Sequence, residues 1–212
     1  TGLRLDDGFS LALMAGSVPA RQLARLKPET CAFFICDIQE RFREAIHKFP
    51  AVIKGSQRMG EAAKLLNITT IVTEQYPKGL GHTVAEFDAS AATVVEKTEF
   101  SMCVPPVLEA LKSKTVTDVV ICGLESHVCV QQTSLDLIEK GVNVHLCVDA
   151  VSSSDVTCRA VGFNRCAGAG AYLTTTESVL FELLRSKDHP QFKAISALLK
   201  TTRPEDPLVG LG

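Results

Sequence analysis

The chain has no C-x-x-C pair, so the closely spaced thiols of zinc knuckles and thioredoxin-type redox sites are missing. It has no apolar run of membrane-spanning length, which takes about 20 residues. It has no surplus of one charge sign: 22 Lys and Arg stand against 24 Asp and Glu, a net charge of −2. No basic stripe stands out, so nucleic acid and anionic membranes are poor partners. No internal repeat or low-complexity tract interrupts the chain. It does not begin with methionine, which fits a chain trimmed at its N-terminus and leaves the organelle open.

What is present is a globular composition. The 212 residues are 46% apolar and 22% charged, enough for one sizeable core and one domain. Eight cysteines suggest disulfides, but Cys31, Cys36, Cys122 and Cys147 lie in apolar strand-like runs, and a chain of this size needs no staples. A reducing compartment is expected, the cytoplasm first, with mitochondrion or peroxisome as alternatives.

The stretch from Thr117 to Ile138 organises the rest. Val119, Val120, Ile121 and Cys122 read as a buried strand. Gly123 breaks the run, and a helix apolar on two faces follows from about His127. Cys129 falls in its first turn, where unpaired backbone N–H groups and the macrodipole favour a thiolate. The competing reading is a small buried hydrophobe, the usual fate of an intracellular cysteine.

Strand and helix patterns alternate along the whole chain. Strands are expected at 32–36, 68–73, 92–95, 119–122, 142–148 and 171–173. Helices are expected at 51–66, from Pro105, from about His127, and at 155–167, 179–184 and 192–199. Near-continuous apolar strands between helices mean a parallel sheet covered on both faces. Right-handed crossovers then give a three-layer, doubly wound (Rossmann-like) α/β fold with order 3-2-1-4-5-6. Residues 30–200 form this domain, 1–29 an N-terminal arm and 201–212 a tail. In that order strands one and four are neighbours, and ligands bind outside their carboxyl ends. Asp37 ends strand one and Cys129 follows strand four, so both come to one crevice. Lys97 follows strand three. Singly, Asp37 reads as a helix N-cap and Lys97 as a solvated lysine. Together they suit nucleophilic chemistry: Asp37 as base and acid, Lys97 as its electrostatic partner, Cys129 as nucleophile.

Four pieces carry a family resemblance: Asp37-Ile38-Gln39, Thr73 through Gly81, Lys97 with Phe100-Ser101, and Gly123 through Val130. In that order and spacing they resemble the isochorismatase-like cysteine hydrolases, most closely the isochorismatase domain-containing proteins of animals, over roughly residues 30–200. The resemblance implies an Asp–Lys–Cys triad at Asp37, Lys97 and Cys129. It implies a non-proline cis peptide at Leu124-Glu125, an oxyanion hole from the amides of Glu125 and Cys129, and a homo-oligomer. For the oligomer contact, the arm and the helix around Phe192 and Ile195 are the candidates.

The chain departs from the nicotinamidases of this family. Their metal-binding Asp-x-His is replaced by Glu74-Gln75-Tyr76, with His82 the one histidine nearby, so no metal and no cofactor are expected. Ser126-His127 stands where amidase members carry Thr-Asp; His127 either shapes the pocket or caps the helix. Gln39, Gln75, Tyr76 and Phe100 are candidate pocket residues. The intact Cys129 favours attack on a carbonyl carbon over isochorismate hydrolysis. The expected function is metal-independent hydrolysis of a small amide, carbamoyl or related carbonyl compound through a thioester. The rival is a catalytically silent binding or regulatory protein using the same pocket. A redox-sensing thiol ranks last, because no resolving cysteine lies near Cys129 in sequence.

Overall fold

Strand β1 (Cys31–Cys36) is buried along its whole length. Its side chains alternate: Phe33 and Ile35 enter one apolar cluster, Ala32, Phe34 and Cys36 another. That alternation is the period of two expected of a strand with a packed layer on each face. The computed structural model describes residues 23–112 and 114–208. Most of the expected arm, residues 1–22, lies outside the described residues.

The other strands are β2 (Thr69–Gln75), β3 (Thr93–Lys97), β4 (Asp118–Gly123), β5 (Asn143–Val151) and β6 (Tyr172–Thr174). All pairs are parallel, and the order is β3-β2-β1-β4-β5-β6, as read from the sequence. Helices α1 (Phe49–Leu66), α2 (Pro77–Leu80), α3 (Pro105–Leu111), α4 (Cys129–Glu139), α5 (Val156–Ala169), α6 (Thr176–Leu184) and α7 (Phe192–Thr201) complete the chain. Helices α1, α6 and α7 cover one face, and α3, α4 and α5 the other.

The packed body reaches past 30–200 at both ends. Leu26 is buried, its N–H donates to Glu182 Oε1 (3.0 Å), and its carbonyl accepts from Arg185 (2.7 Å). Beyond α7, Thr202 and Leu208 are buried. Thr202 is held by the Arg58 guanidinium, whose Nε donates to Thr202 Oγ1 (2.9 Å) and Nη1 to Thr176 Oγ1 (2.6 Å). One expectation is corrected here. Ile195 is fully buried within the chain, because its stripe of α7 packs on α1; it is not free for a subunit contact. Phe192 is only partly buried and packs against Phe181, ring centroids 6.4 Å apart. All eight cysteines are free thiols. Among the described residues no helix is long and apolar enough to cross a membrane.

Candidate active site

Asp37 follows β1 with a left-handed backbone (φ 51°), a conformation uncommon outside glycine, asparagine and aspartate. It caps no helix, since the short turn beginning at Glu40 is preceded by Gln39. Asp37 Oδ1 accepts from Thr73 Oγ1 at 2.7 Å, and Oδ2 from Lys97 Nζ at 2.7 Å. Lys97 is the last residue of β3, paired in register with Gln75, while Thr73 pairs with Cys36. Its four-carbon stem therefore reaches past β2 to the end of β1. The solvated-lysine reading does not hold: the Lys97 side chain is 0% exposed and that of Asp37 1%. Nζ also donates to Gln75 Oε1 (2.6 Å) and meets the carbonyls of Phe100 (3.1 Å) and Glu99 (3.2 Å). Burial on its own would lower the Lys97 pKa. The negative charge available on Cys36, Asp37 and Cys129 outweighs it, and the ammonium is held above its ordinary value.

The turn carrying Cys129 begins where β4 ends. Gly123 has φ +112°, and a Cβ there would fall 2.1 Å from the Cys36 carbonyl oxygen, so only glycine fits against β1. The Leu124-Glu125 peptide is cis, at the position the family resemblance implies. Neighbours brace the turn on three sides. Leu124 N–H donates to Cys36 O (2.8 Å), and Ser126 N–H to Ser152 O (2.9 Å). The Glu125 carboxylate accepts from Ser154 N–H (2.8 Å). Gly162 of α5 packs so closely that a Cβ would lie 2.6 Å from the Ser126 carbonyl.

Cys129 opens α4 and is 7% exposed. The Glu125 carbonyl accepts from the Val128 and Val130 amides (3.0 and 3.1 Å). Among the described residues the amides of Glu125 and Cys129 donate to no protein acceptor. Two free donors flanking a thiol are what an oxyanion needs. Thr133 ties the helix to the loop after β3: its hydroxyl donates to Cys129 O (2.6 Å) and accepts from Met102 N–H (2.8 Å).

Between the carboxylate and the nucleophile turn sits a residue given no role by the sequence reading. Cys36 is fully buried, its Sγ lies 3.5 Å from Asp37 Oδ2, and its carbonyl accepts from Leu124 N–H of the nucleophile turn (2.8 Å). Burial first, then Cys129 and the Asp37 charge, push its thiol pKa well up. Thr73 was likewise missed, although it stands in a quoted motif; its signal was its place opposite Cys36 at the end of a neighbouring strand.

The remaining candidates divide. Gln39 is fully buried, and its amide is committed to backbone: Nε2 to the carbonyls of Gln75 (2.9 Å) and Gly81 (2.6 Å), Oε1 to Gln75 N–H (2.7 Å). It clamps the end of β2 to the turn beyond. Gln75 receives Lys97 and donates to Thr98 O (2.8 Å). Tyr76 and Phe100 are 54% and 51% exposed and stand at the rim. The Tyr76 ring lies over Gly79, where a Cβ would come within 2.5 Å of it. Tyr76 also edges a depression of about 380 Å³ beside Lys97, lined in part by Lys78, Glu96 and Thr98 and not reaching Cys129. His127 caps nothing; its Nδ1 pairs with Ser153 Oγ (3.0 Å), which also meets Ser126 Oγ (2.7 Å).

Glu74, where the nicotinamidases have a metal ligand, is engaged by His82 Nδ1 (2.8 Å) and Thr83 N–H (2.7 Å). Among the described residues no group of three or more His, Cys, Asp or Glu is arranged to hold a metal ion.

Known proteins resemble this chain in sequence and fold. The isochorismatase domain model matches residues 31–178. Isochorismatase domain-containing protein 1 of Danio rerio is 43% identical over 210 residues, covering 98% of this chain and 74% of the relative. Isochorismatase domain-containing protein 2A of Mus musculus is 41% identical over 190 residues, covering 89% and 92%. Among solved structures, the MAR1 ribonuclease of Caenorhabditis elegans superposes with a TM-score of 0.83 at 47% identity, covering 89% of this chain and 99% of that one.

Proposed function

Because the chain belongs to the isochorismatase family, we propose that it is a metal-independent cysteine hydrolase of a small amide, carbamoyl or related carbonyl compound. The observation that carries this reading is the buried Asp37–Lys97 pair, 2.7 Å apart, at the end of β1 and beside the end of β4, from which the turn to Cys129 departs. Asp37 takes the Cys129 proton, and the sulfur attacks the carbonyl carbon. The free amides of Glu125 and Cys129 receive the developing oxyanion. Asp37 returns the proton to the leaving nitrogen, leaving a thioester on Cys129. Water, deprotonated by Asp37, cleaves the thioester and restores the thiol. Lys97 holds the Asp37 carboxylate in place through their 2.7 Å ion pair. Tyr76, Phe100, Gln75 and His127 border the substrate, and Gln39 holds the wall behind them. The free thiols suit a reducing compartment.

The test is a panel of amides, ureides and carbamoyl compounds assayed for hydrolysis, with intact-mass spectrometry for the acyl adduct and Cys129→Ser as control. Turnover lost in Cys129→Ser, with an adduct on Cys129, is the expected result. If no compound is turned over and Cys129 alkylates no faster than the other cysteines, the nucleophile role is lost. The silent binding protein is then the better reading, and Cys129→Ala would leave its partner binding intact. The name of the Caenorhabditis elegans protein supports a second activity, RNA cleavage. A net charge of −2 gives little help in tracking a phosphate backbone. Cleavage of a labelled RNA that disappears in Cys129→Ser would decide for it.

A further inference from the structure

We propose that His127 sets substrate specificity: its ring offers one bare nitrogen acceptor in the nucleophile turn, which selects a substrate with an N–H on the acyl side of the scissile bond, as in a carbamoyl group. The inference rests on the hydrolase reading above and narrows its substrate class. A chain of hydrogen bonds fixes the proton on the ring. Ser126 Oγ lies 3.2 Å from the Arg159 carbonyl and 3.4 Å from that of Cys158, in the first turn of α5. A carbonyl only accepts, so Ser126 directs its single proton there. Ser126 Oγ also meets Ser153 Oγ at 2.7 Å, and Ser153 is therefore the donor of that bond. With its own proton committed, Ser153 Oγ accepts from His127 Nδ1 at 3.0 Å. Ser126 and Ser153 are 1% and 0% exposed, so solvent does not supply another donor to reverse the chain. The neutral ring then carries its hydrogen on Nδ1. Nε2 keeps a bare lone pair, and among the described residues nothing donates to it.

Sheet order decides which end of the substrate this nitrogen meets. β4 lies between β1 and β5, so the turn after β4 has a different neighbour on each flank. On the β1 flank stands Asp37, which returns a proton to the leaving nitrogen. On the β5 flank stands Ser153, two residues past the strand, and His127 is tied to it. His127 itself belongs to the turn between the free amides of Glu125 and Cys129, a turn closed by the 3.0 Å bond from Val128 N–H to the Glu125 carbonyl. With the substrate oxygen on those amides and the leaving group toward Asp37, the remaining substituent of the carbonyl carbon faces the β5 flank. An N–H there finds the Nε2 lone pair, whereas a methyl group covers it and leaves it unpaired. The flank is held firmly enough to discriminate. Ser126 N–H donates to Ser152 O (2.9 Å), His47 N–H to Ser153 O (2.9 Å), and Ser152 Oγ to His47 O (2.6 Å). A Cβ on Gly162 would lie 2.8 Å from the His127 nitrogen of the backbone, so α5 closes on the turn from behind. The ring is only half-buried and stays open to a ligand.

The test uses the full chain, and its first arm needs no substrate. Long-range proton–nitrogen NMR of the histidine rings at about pH 8, above the ordinary imidazole range, reads the tautomer. The His127 signals are the set lost in His127→Leu. A proton on Nδ1 is expected in the native protein, and a larger share of the Nε2–H form in Ser153→Ala. The second arm compares kcat/KM for matched N-carbamoyl and N-acetyl derivatives of one amine, which differ only by NH2 in place of a methyl group of similar size. The carbamoyl-to-acetyl ratio is expected to fall roughly tenfold in His127→Leu, the loss of one hydrogen bond to a buried acceptor. His127→Gln, which presents an amide oxygen, should recover at least half of the lost preference. Taking the ratio within each variant cancels the intrinsic reactivity of the two compounds and any loss of folded protein. A native ring protonated on Nε2, or the same ratio in native and His127→Leu, overturns the role of His127 while leaving the hydrolase reading standing. If no compound of the panel is turned over, the hydrolase reading falls and this inference falls with it.

Discussion

Replacing Lys97 by methionine removes a buried cation and keeps the shape of its stem. The Asp37 carboxylate, 1% exposed, then loses its 2.7 Å ammonium partner and retains Thr73 Oγ1 and the weak Cys36 donor. Breaking a buried ion pair from one side costs about 3–5 kcal/mol, because the remaining charge is left in a poorly solvating site. For a chain of this size each kcal/mol moves the melting temperature by about 2–4 °C, so Lys97→Met should melt ~6–20 °C below the native protein. The carbonyls of Glu99 and Phe100 lose their donor as well, and the Phe100 rim should loosen. Scanning calorimetry on the single variant and on Asp37→Asn with Lys97→Met isolates the charge. With the carboxylate neutralised, the double variant should regain more than half of the loss. A single variant that melts within about 2 °C of native, or a double variant no more stable than the single one, refutes the account of a desolvated pair.

Thr73→Val keeps the volume and deletes the 2.7 Å donor to Asp37 Oδ1; a hydrogen bond to a charged group is worth about 1.5–3 kcal/mol, to be read from urea unfolding, and an unchanged midpoint would contradict the bond. Gly123→Ala places a Cβ 2.1 Å from the Cys36 carbonyl at φ +112°, and should cost about 3 kcal/mol or more; a soluble variant of native melting temperature would show that the β1–β4 approach is looser than described. The Glu74–His82 clamp should depend on pH. Its bonds to Glu74 raise the His82 pKa above its ordinary 6.5, so that contribution is complete below about 6.5 and lost as pH rises through the raised value. Burial alone would raise the Glu74 pKa, but its bonds to Thr83 and His82 hold it below its ordinary 4.5. That contribution is complete above about 4.5 and lost as pH falls through the lowered value. Once corrected for the intrinsic pH dependence of exchange, protection of the Thr83 amide should be greatest from about pH 4.5 to 6.5, and the profile should flatten in Glu74→Gln.

Much of the site was legible before any coordinates. The runs 32–36 and 119–122 read as strands buried on both faces, and in the order 3-2-1-4-5-6 expected of a doubly wound sheet those two strands are neighbours. That alone brings the residue after β1 and the turn after β4 to one crevice. Lys97 was legible as a strand-end residue but not as a buried one, since nothing local distinguishes a solvated lysine from one spanning β2. Cys36 was hidden by its own neighbourhood: inside CAFFIC a thiol reads as one more small hydrophobe. Gln39 looked like a pocket residue because a polar side chain after a strand so often is one; its three backbone partners lie 36 to 42 residues away.

The sequence by itself determined the alternation, a sheet covered on both faces, the expected strand order, and thus which chain segments converge. Those follow from apolar periodicity and chirality, which are local and accumulate along the chain. Tertiary structure alone decided which polar groups are satisfied: that the Lys97 ammonium meets Asp37, that the Cys36 thiol stands beside the same carboxylate, that Ile195 belongs to the core. A hydrogen bond is set within tenths of an ångström by packing from several elements at once, and no window of the chain contains all of its partners.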